Sequence, residues 1–359
     1  MTTEPLHAAP LLSATIGSPP LKVVALGGGH GLSASLSALR LLTPDVTAVV
    51  TVADDGGSSG RIRRELPVLP PGDLRMALVA LAGGDGEPGR WPAVLQHRLG
   101  GRGSLSGHSI GNMVLTGLLE MHRDPVEALA VMAGLVGATG RVLPMSPVPL
   151  DLVADIEHDD LTGVGDAAVR VDRIHGQSAI AEAGGRLAAI ELFPVGAPAC
   201  APAVDAVREA DLVVLGPGSW FTSVIPHLLV HELAAALVTT RARKAVVLNL
   251  VAQTDETSGF SPAEHLRVLR GQSRWVGGLA VDAVLADPST LDAEQLADVR
   301  VAAAELGAEV VLADVRDAEH ADRHDPRRLA VAYGRVLDGS AAPGRDRAER
   351  PPVPDDARR

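Results

Sequence analysis

The chain has 359 residues, 46% of them hydrophobic but only 2% aromatic, and it carries a formal net charge of −12. That acidity gives no electrostatic support to binding of nucleic acid or an anionic membrane, and no apolar run reaches the roughly 18 residues that span a bilayer. A single cysteine, Cys200, excludes a disulfide framework; Met1-Thr2-Thr3-Glu4-Pro5 does not open a secretory signal, so the expected compartment is the cytoplasm.

Residues 1–20 are rich in Ala, Pro and Ser, lack periodicity and read as a flexible lead-in. Lys22–Leu26 reads as a strand running into Gly27-Gly28-Gly29-His30-Gly31, followed by helical spacing over Ser33–Leu42. Val46–Val52 is the next strand and ends at Ala53-Asp54-Asp55-Gly56-Gly57. Helices are expected over Asp73–Leu81, Ile110–Met121 and Asp124–Val136, the last with Asp124 as N-cap and Pro125 at the first helical position. Residues 142–193 are more strand-like and irregular, consistent with a smaller insertion around 142–195. Asp211–Leu215 reads as a buried strand, then Gly216-Pro217-Gly218-Ser219 and a helix near Ser223–Val238. Strands at Ala245–Leu250, Ala280–Leu285 and Val310–Ala313 alternate with helices at Pro262–Leu269 and Ala293–Leu306. This βα alternation predicts one α/β domain over 21–338, with a mainly parallel sheet and helices on both faces. The charged, Pro-rich stretch 339–359 reads as a disordered tail.

Ligands of open parallel sheets bind beyond the carboxyl ends of the strands, where strand order reverses. Three motifs follow strand ends here. In Gly27–Gly31 the glycines let backbone approach an anion at the start of a helix; alone, the cluster reads equally as a tight turn. Gly216, Gly218 and Ser219 hold the equivalent place in a second βα unit, with Thr222 and Ser223 as further donors. The run Asp54-Asp55-Gly56-Gly57-Ser58-Ser59-Gly60-Arg61 sets two carboxylates at a strand end, suited to Mg²⁺ or a sugar hydroxyl beside a phosphate; the alternative is a turn capping the next helix. Asp73, in Pro70-Pro71-Gly72-Asp73, reads as an N-cap, and Arg75 faces either solvent or a ligand. His108, Ser109 and Asn112 stand at a helix start where anion contact is cheap, although a lone histidine reads as readily as structural. Neither lysine of the chain, Lys22 or Lys244, lies in a glycine loop, so a P-loop lysine is excluded. His227 and His231 have a four-residue helical spacing but lack the glutamate of a zinc motif, and read as structural. Asn249, Gln253 and Thr257 read as contacts to a base or sugar or as loop-stabilising groups.

Together ALGGGHGLS, DDGGSSGR with PPGDLR, LSGHSIGNM, GPGSWFTS and LNLVAQTDETSGFS resemble the YvcK-type gluconeogenesis factors of the CofD-like superfamily, over about Val23 to Asp287. The resemblance implies a Rossmann-like three-layer αβα fold and a cytoplasmic protein that binds UDP-sugars such as UDP-N-acetylglucosamine. It also implies a role in cell-envelope morphogenesis and cell shape on gluconeogenic carbon sources; envelope regulatory partners and a homo-oligomeric state are further expectations. Carried over by motif, the ligand contacts fall on Gly28, Gly29, Gly31, Asp54, Asp55, Gly57, Ser58, Arg61, His108, Asn112, Gly216, Gly218, Ser219 and Thr222. His30 stands where Thr is usual, Trp220-Phe221 where Leu-Tyr is usual, Met76 where a polar residue is frequent, and His227 where Asn is usual. The rival within the superfamily is 2-phospho-L-lactate transferase, which moves phospholactate from a guanylylated donor to a deazaflavin alcohol. There Asp54 and Asp55 would be the catalytic candidates, binding Mg²⁺ and positioning or deprotonating the acceptor hydroxyl.

Overall fold

A strand covered on both faces must be apolar along its whole length, and Val-Val-Ala-Leu-Gly at Val23–Gly27 and Val-Thr-Ala-Val-Val at Val46–Val50 are buried at every position. The computed structural model describes residues 19–82, 87–158, 170–183, 185–251 and 260–339. The expected lead-in up to residue 18 and the tail from 340 lie outside the described residues, as do Gln253 and Thr257. The strands are β1 (Val23–Gly27), β2 (Val46–Val50), β3 (Arg141–Pro144), β4 (Asp151–His158), β5 (Arg170–His175), β6 (Arg186–Phe193), β7 (Leu212–Leu215), β8 (Arg243–Val247), β9 (Ala283–Ala286) and β10 (Glu309–Leu312). Seven of them form a parallel sheet in the order β10-β9-β8-β7-β1-β2-β3. The chain builds outward from β1 to β3, returns, and builds from β7 to β10 on the other side. Strand order therefore reverses between β1 and β7, which places a crevice at their carboxyl ends. The fold is α/β and Rossmann-like.

The helices are α1 (Gly29–Leu39), α2 (Gly57–Glu65), α3 (Pro71–Leu81), α4 (Glu87–Gln96), α5 (Ile110–Met121), α6 (Pro125–Val136), α7 (Gln177–Glu182), α8 (Ala201–Glu209), α9 (Pro226–Leu229), α10 (His231–Thr239), α11 (Pro262–Ser273), α12 (Ala293–Glu305) and α13 (Pro326–Asp338). Among the described residues no single helix is long and apolar enough to cross a membrane. With so few aromatics the core is a continuous mass of Val, Leu and Ala, whose small side chains allow close approach of helix and sheet. Strands β5-β4-β6 make a separate antiparallel sheet carrying α7.

Several boundaries differ from the sequence reading. Asp73 is not an N-cap: α3 starts at Pro71, with Pro70 as the cap residue, because proline has the right φ for a first helical turn and needs no N–H partner there. The single helix expected near Ser223–Val238 is broken. Trp220–Val224 forms a π-helical turn, Pro226 starts α9, and extended Val230 separates α9 from α10, the two segments bending by 86°. Pro226 supplies no N–H to continue the turn before it. His227 and His231 therefore sit on different helices. Helices α4, α7, α8 and α13 form where the sequence reading assigned none, and α2 is the helix that only the capping alternative for Asp54-Asp55 implied.

Candidate functional site

Gly27–Gly31 and Gly216–Ser219 leave the carboxyl ends of the adjacent strands β1 and β7 and meet. A Cβ on Gly31 would lie 2.2 Å from the Pro217 carbonyl oxygen and 2.8 Å from the Gly218 Cα. Only glycine allows that approach, so the two loops form one continuous backbone surface. His30 is exposed on its rim and Gly29 is partly exposed. Asn249, just past β8, grips Gly218 at both ends: its Oδ1 accepts from the Gly218 N–H at 2.9 Å, and its Nδ2 donates to the Gly218 carbonyl at 2.9 Å. Ser219 caps the π-helical turn, accepting from the Thr222 N–H at 3.1 Å and from the Thr222 hydroxyl. Thr222 and Ser223 are buried beneath the loop. The π-helical turn widens the start of this helix, a distortion that recurs at functional sites.

The floor of the cleft is acidic. A Cβ on Gly28 would lie 2.4 Å from Asp73 Oδ2, 2.7 Å from Thr51 Cγ2 and 3.1 Å from Ser223 Oγ. Asp73 thus faces the first glycine loop from α3, opposite Gly29. Burial and the nearby Asp54 carboxylate push its pKa up to about 7, against the Gly29 N–H and the Arg75 guanidinium, which favour the ionised form. Asp54 is also raised, chiefly by burial; the Gly56 N–H, which donates to its Oδ1 at 2.9 Å, and the Ser59 hydroxyl oppose the shift. The two adjacent carboxylates turn to different partners. Asp55 Oδ1 accepts from the Ser178 N–H at 3.0 Å and from the Ser178 hydroxyl at 3.1 Å, at the start of α7.

A second polar cluster lies beside α2. Ser58 Oγ sits 2.8 Å from His108 Nδ1 and accepts from Asn112 Nδ2 at 3.0 Å. Ser58 Oγ, with two lone pairs and one proton, bonds both side chains, donating to or accepting from His108 Nδ1 according to the tautomer of the ring. Burial and the nearby Arg61 lower the His108 pKa, which favours the neutral ring. Arg75 is 3% exposed: its Nε donates to Asn112 Oδ1 at 2.9 Å and its terminal nitrogen to Gln96. Its pKa falls to about 10 through burial and the nearby Arg98. Arg61 donates to the Ser106 carbonyl at 2.9 Å, and Ser109 caps α5 through the Asn112 N–H. The structure thus groups the candidates in two sets: Gly28, Gly29, Gly31, Asp54, Asp73, Gly216, Gly218, Ser219, Thr222, Ser223 and Asn249 in one, Ser58, Arg61, Arg75, His108, Ser109 and Asn112 in the other. Gly57, exposed at the start of α2, lies between Asp54 and Ser58 along the chain.

Sequence reasoning passed over Thr51, Ser59, Gln96 and Ser178. Ser59 joins the sets by accepting from the Gly72 N–H at 3.0 Å; its place in Ser58-Ser59 was the only signal. Gln96 and Ser178 reach the site from other elements and leave no local trace. Trp220 and Phe221 turn into the core, Trp220 stacking on His265 at 5.1 Å between ring centres and Phe221 meeting Phe260 edge-on at 5.3 Å. His227 is fully buried between the Val49 and Val224 carbonyls, 3.0 and 3.3 Å away, and burial lowers its pKa to about 4. Among the described residues no three His, Cys, Asp or Glu side chains form a metal-ligand group.

The family model described as 2-phospho-L-lactate transferase CofD matches residues 23–325. A Mycobacterium tuberculosis protein named "Putative gluconeogenesis factor" is 54% identical over 338 residues, covering 92% of this chain and 93% of that protein. The "Gluconeogenesis factor" of Listeria innocua is 38% identical over 288 residues, covering 80% and 84% of the two chains. A crystal structure of a UPF0052-family protein from Bacillus halodurans superposes with a TM-score of 0.75 at 32% identity, covering 89% of this chain and all of the other.

Proposed function

We propose, for a chain that belongs to the CofD family and is related throughout its fold to the gluconeogenesis factors, that the cleft binds a nucleoside-diphosphate sugar of the UDP-N-acetylglucosamine kind. In this reading the bound protein acts in the cytoplasm as a regulator of envelope growth and cell shape on gluconeogenic carbon sources. What supports it is the contact between Gly31 and Pro217-Gly218, which joins two backbone loops at the strand-order reversal into one continuous surface, the kind of place where backbone N–H groups meet phosphates. Asn249 and the Ser219–Thr222 pair hold the second loop in place.

Asp73 faces the first loop where an anion would come, so a diphosphate must bind either with a proton on Asp73 or with a cation between them. Two carboxylates plus ligand phosphates suit Mg²⁺, which takes one or two protein carboxylates and keeps its remaining positions for phosphate and water. Asp54 and Asp73 would hold such an ion, and it would neutralise the diphosphate. Isothermal calorimetry with UDP-N-acetylglucosamine tests the reading: binding by the wild type and its loss in Gly218→Asp are expected. No wild-type binding, or undiminished binding by the variant, would overturn it. The family model's own name, 2-phospho-L-lactate transferase, supports a second reading, in which the resemblance implies a guanylylated donor and a deazaflavin alcohol as acceptor. Asp73, with a pKa near neutrality, is then the residue suited to take the acceptor's hydroxyl proton. Turnover with those substrates and Mg²⁺ would decide for it.

A further inference from the structure

The chain contains one tyrosine, Tyr333, and it is completely buried. It lies on α13, whose apolar stripe includes Leu329, Ala330, Tyr333 and Val336. Its hydroxyl is 2.7 Å from Ser35 Oγ on α1, and Ser35 Oγ is 2.9 Å from the carbonyl oxygen of Gly216. A carbonyl only accepts, so Ser35 donates to Gly216 and its lone pair takes the tyrosine proton. The donors therefore run one way, from Tyr333 through Ser35 to Gly216. Burial pushes the phenol's pKa upward, which keeps it a donor. Buried hydroxyls cost stability unless paired; Tyr333 pairs with Ser35, and the Gly216 carbonyl sets the direction of that pair. Gly216 opens the second ligand loop at φ +76°, and its N–H donates to the Leu26 carbonyl at 3.1 Å. The loop is thus held by Ser35 at Gly216, by Asn249 at Gly218, and by its own Ser219 hydroxyl.

We infer that Tyr333 and Ser35 are positioning residues for the Gly216–Ser219 loop, tying helix α13 to the backbone proposed to bind the diphosphate. The inference rests on the ligand reading above for its effect on affinity, but not for its effect on the loop itself. A loop fixed before ligand arrives loses less entropy on binding than one that must be ordered. Arg243 extends the tie: its guanidinium donates to the Val336 carbonyl at 2.6 Å, anchoring the end of α13 to the start of β8, the strand that leads to Asn249. Both arms that hold the loop therefore share one support.

The test uses the full chain, with UDP-N-acetylglucosamine as the probe in calorimetry and amide hydrogen exchange of Gly218 and Thr222 in the ligand-free protein. Tyr333→Phe should weaken binding ~3- to 5-fold and Ser35→Ala ~10-fold, about one hydrogen bond's worth each. The double variant should bind no more weakly than Ser35→Ala, since the tyrosine acts through the serine. Exchange at both amides should quicken in the same order. Ser273→Ala removes a fully buried hydroxyl bonded to the Arg270 carbonyl on α11; it should lower the melting temperature while leaving affinity and loop exchange unchanged. Unaltered affinity and exchange in both single variants, or additive effects in the double, would overturn the inference. Should Ser35→Ala fail to fold, Tyr333→Phe alone decides. Should the wild type not bind the probe, the ligand reading falls, and the exchange rates by themselves decide the positioning role.

Discussion

Asp73 carries a proton affinity that no surface aspartate has, with a pKa near 7 set first by burial and then by Asp54. The unfolded chain releases that proton near pH 4, whereas the folded protein keeps it to about pH 7. Between those values the native state binds more protons than the unfolded state, so stability falls as pH rises through this window and levels off above it. Asp73→Asn keeps an oxygen toward Gly29 and removes the titration. The variant should be more stable than wild type at pH 8 by at least ~1 kcal/mol, and the advantage should vanish by pH 4. Urea melts at the two pH values check this; equal stability at pH 8 would contradict the placement of Asp73. The same charge opposes a phosphate at the first glycine loop. Without divalent cation, affinity for UDP-N-acetylglucosamine should therefore rise as pH falls from 8 to 6, and in Asp73→Asn it should be flat over that range. Nothing in Pro70-Pro71-Gly72-Asp73 distinguished this role from a helix cap, because the residues that set it, Asp54 and Gly28, lie elsewhere in the chain.

At the scale of elements, the cleft depends on backbone contacts that side-chain reading only partly anticipates. Gly31 is the tightest: a methyl group there meets the Pro217 carbonyl at 2.2 Å and has no flexible side chain to push aside. Gly31→Ala should lower stability by ~1–3 kcal/mol, as overpacking does, and should abolish ligand binding by separating the loops. Thermal melts and calorimetry on one sample would check both; wild-type values for either would show that the loops do not touch. Ser219→Ala removes the cap of the π-helical turn and should cost ~1 kcal/mol. The existence of both loops was legible, since each combines a buried strand with glycines. Their contact was not, because residues 31 and 217 come together only through strand order. The break between α9 and α10 was missed for a local reason: an apolar run with helical spacing continues through Pro226 and Val230, and periodicity cannot register a change of axis. Helix α13 was missed although Leu329, Tyr333 and Val336 repeat at helical spacing, because arginines and aspartates crowd its start.

For the whole molecule, the alternation of strands and helices made the parallel sheet legible. The strand order that creates the cleft was an expectation from that class rather than a reading of any residue. The relation of the small antiparallel sheet to the main one left the faintest trace. It is attached at the DDGGSSGR motif and just beyond it: Asp55 accepts from the backbone and hydroxyl of Ser178, while Arg63, two residues past the motif, pairs with Asp151 at 2.8 Å. Gly176 lies so close that a Cβ there would sit 2.2 Å from Asp55 Oδ2. One short segment, 54–63, therefore supplies Asp54 to the cleft and uses Asp55 and Arg63 to seat a neighbouring sheet beside it. Removing the Asp55 carboxylate takes the acceptor from the first turn of α7 without touching the main core, so its effect should be local. Asp55→Ala should leave the main unfolding transition within ~1 kcal/mol of wild type. It should also speed native-state trypsin cleavage at Arg170 and Arg173, both exposed on β5, several-fold. Arg63→Ala, which breaks a partly exposed ion pair, should do the same more weakly. An unchanged cleavage rate in Asp55→Ala would mean that the small sheet is held by packing alone; a cooperative loss of the whole fold would mean that the two sheets are one unit of stability.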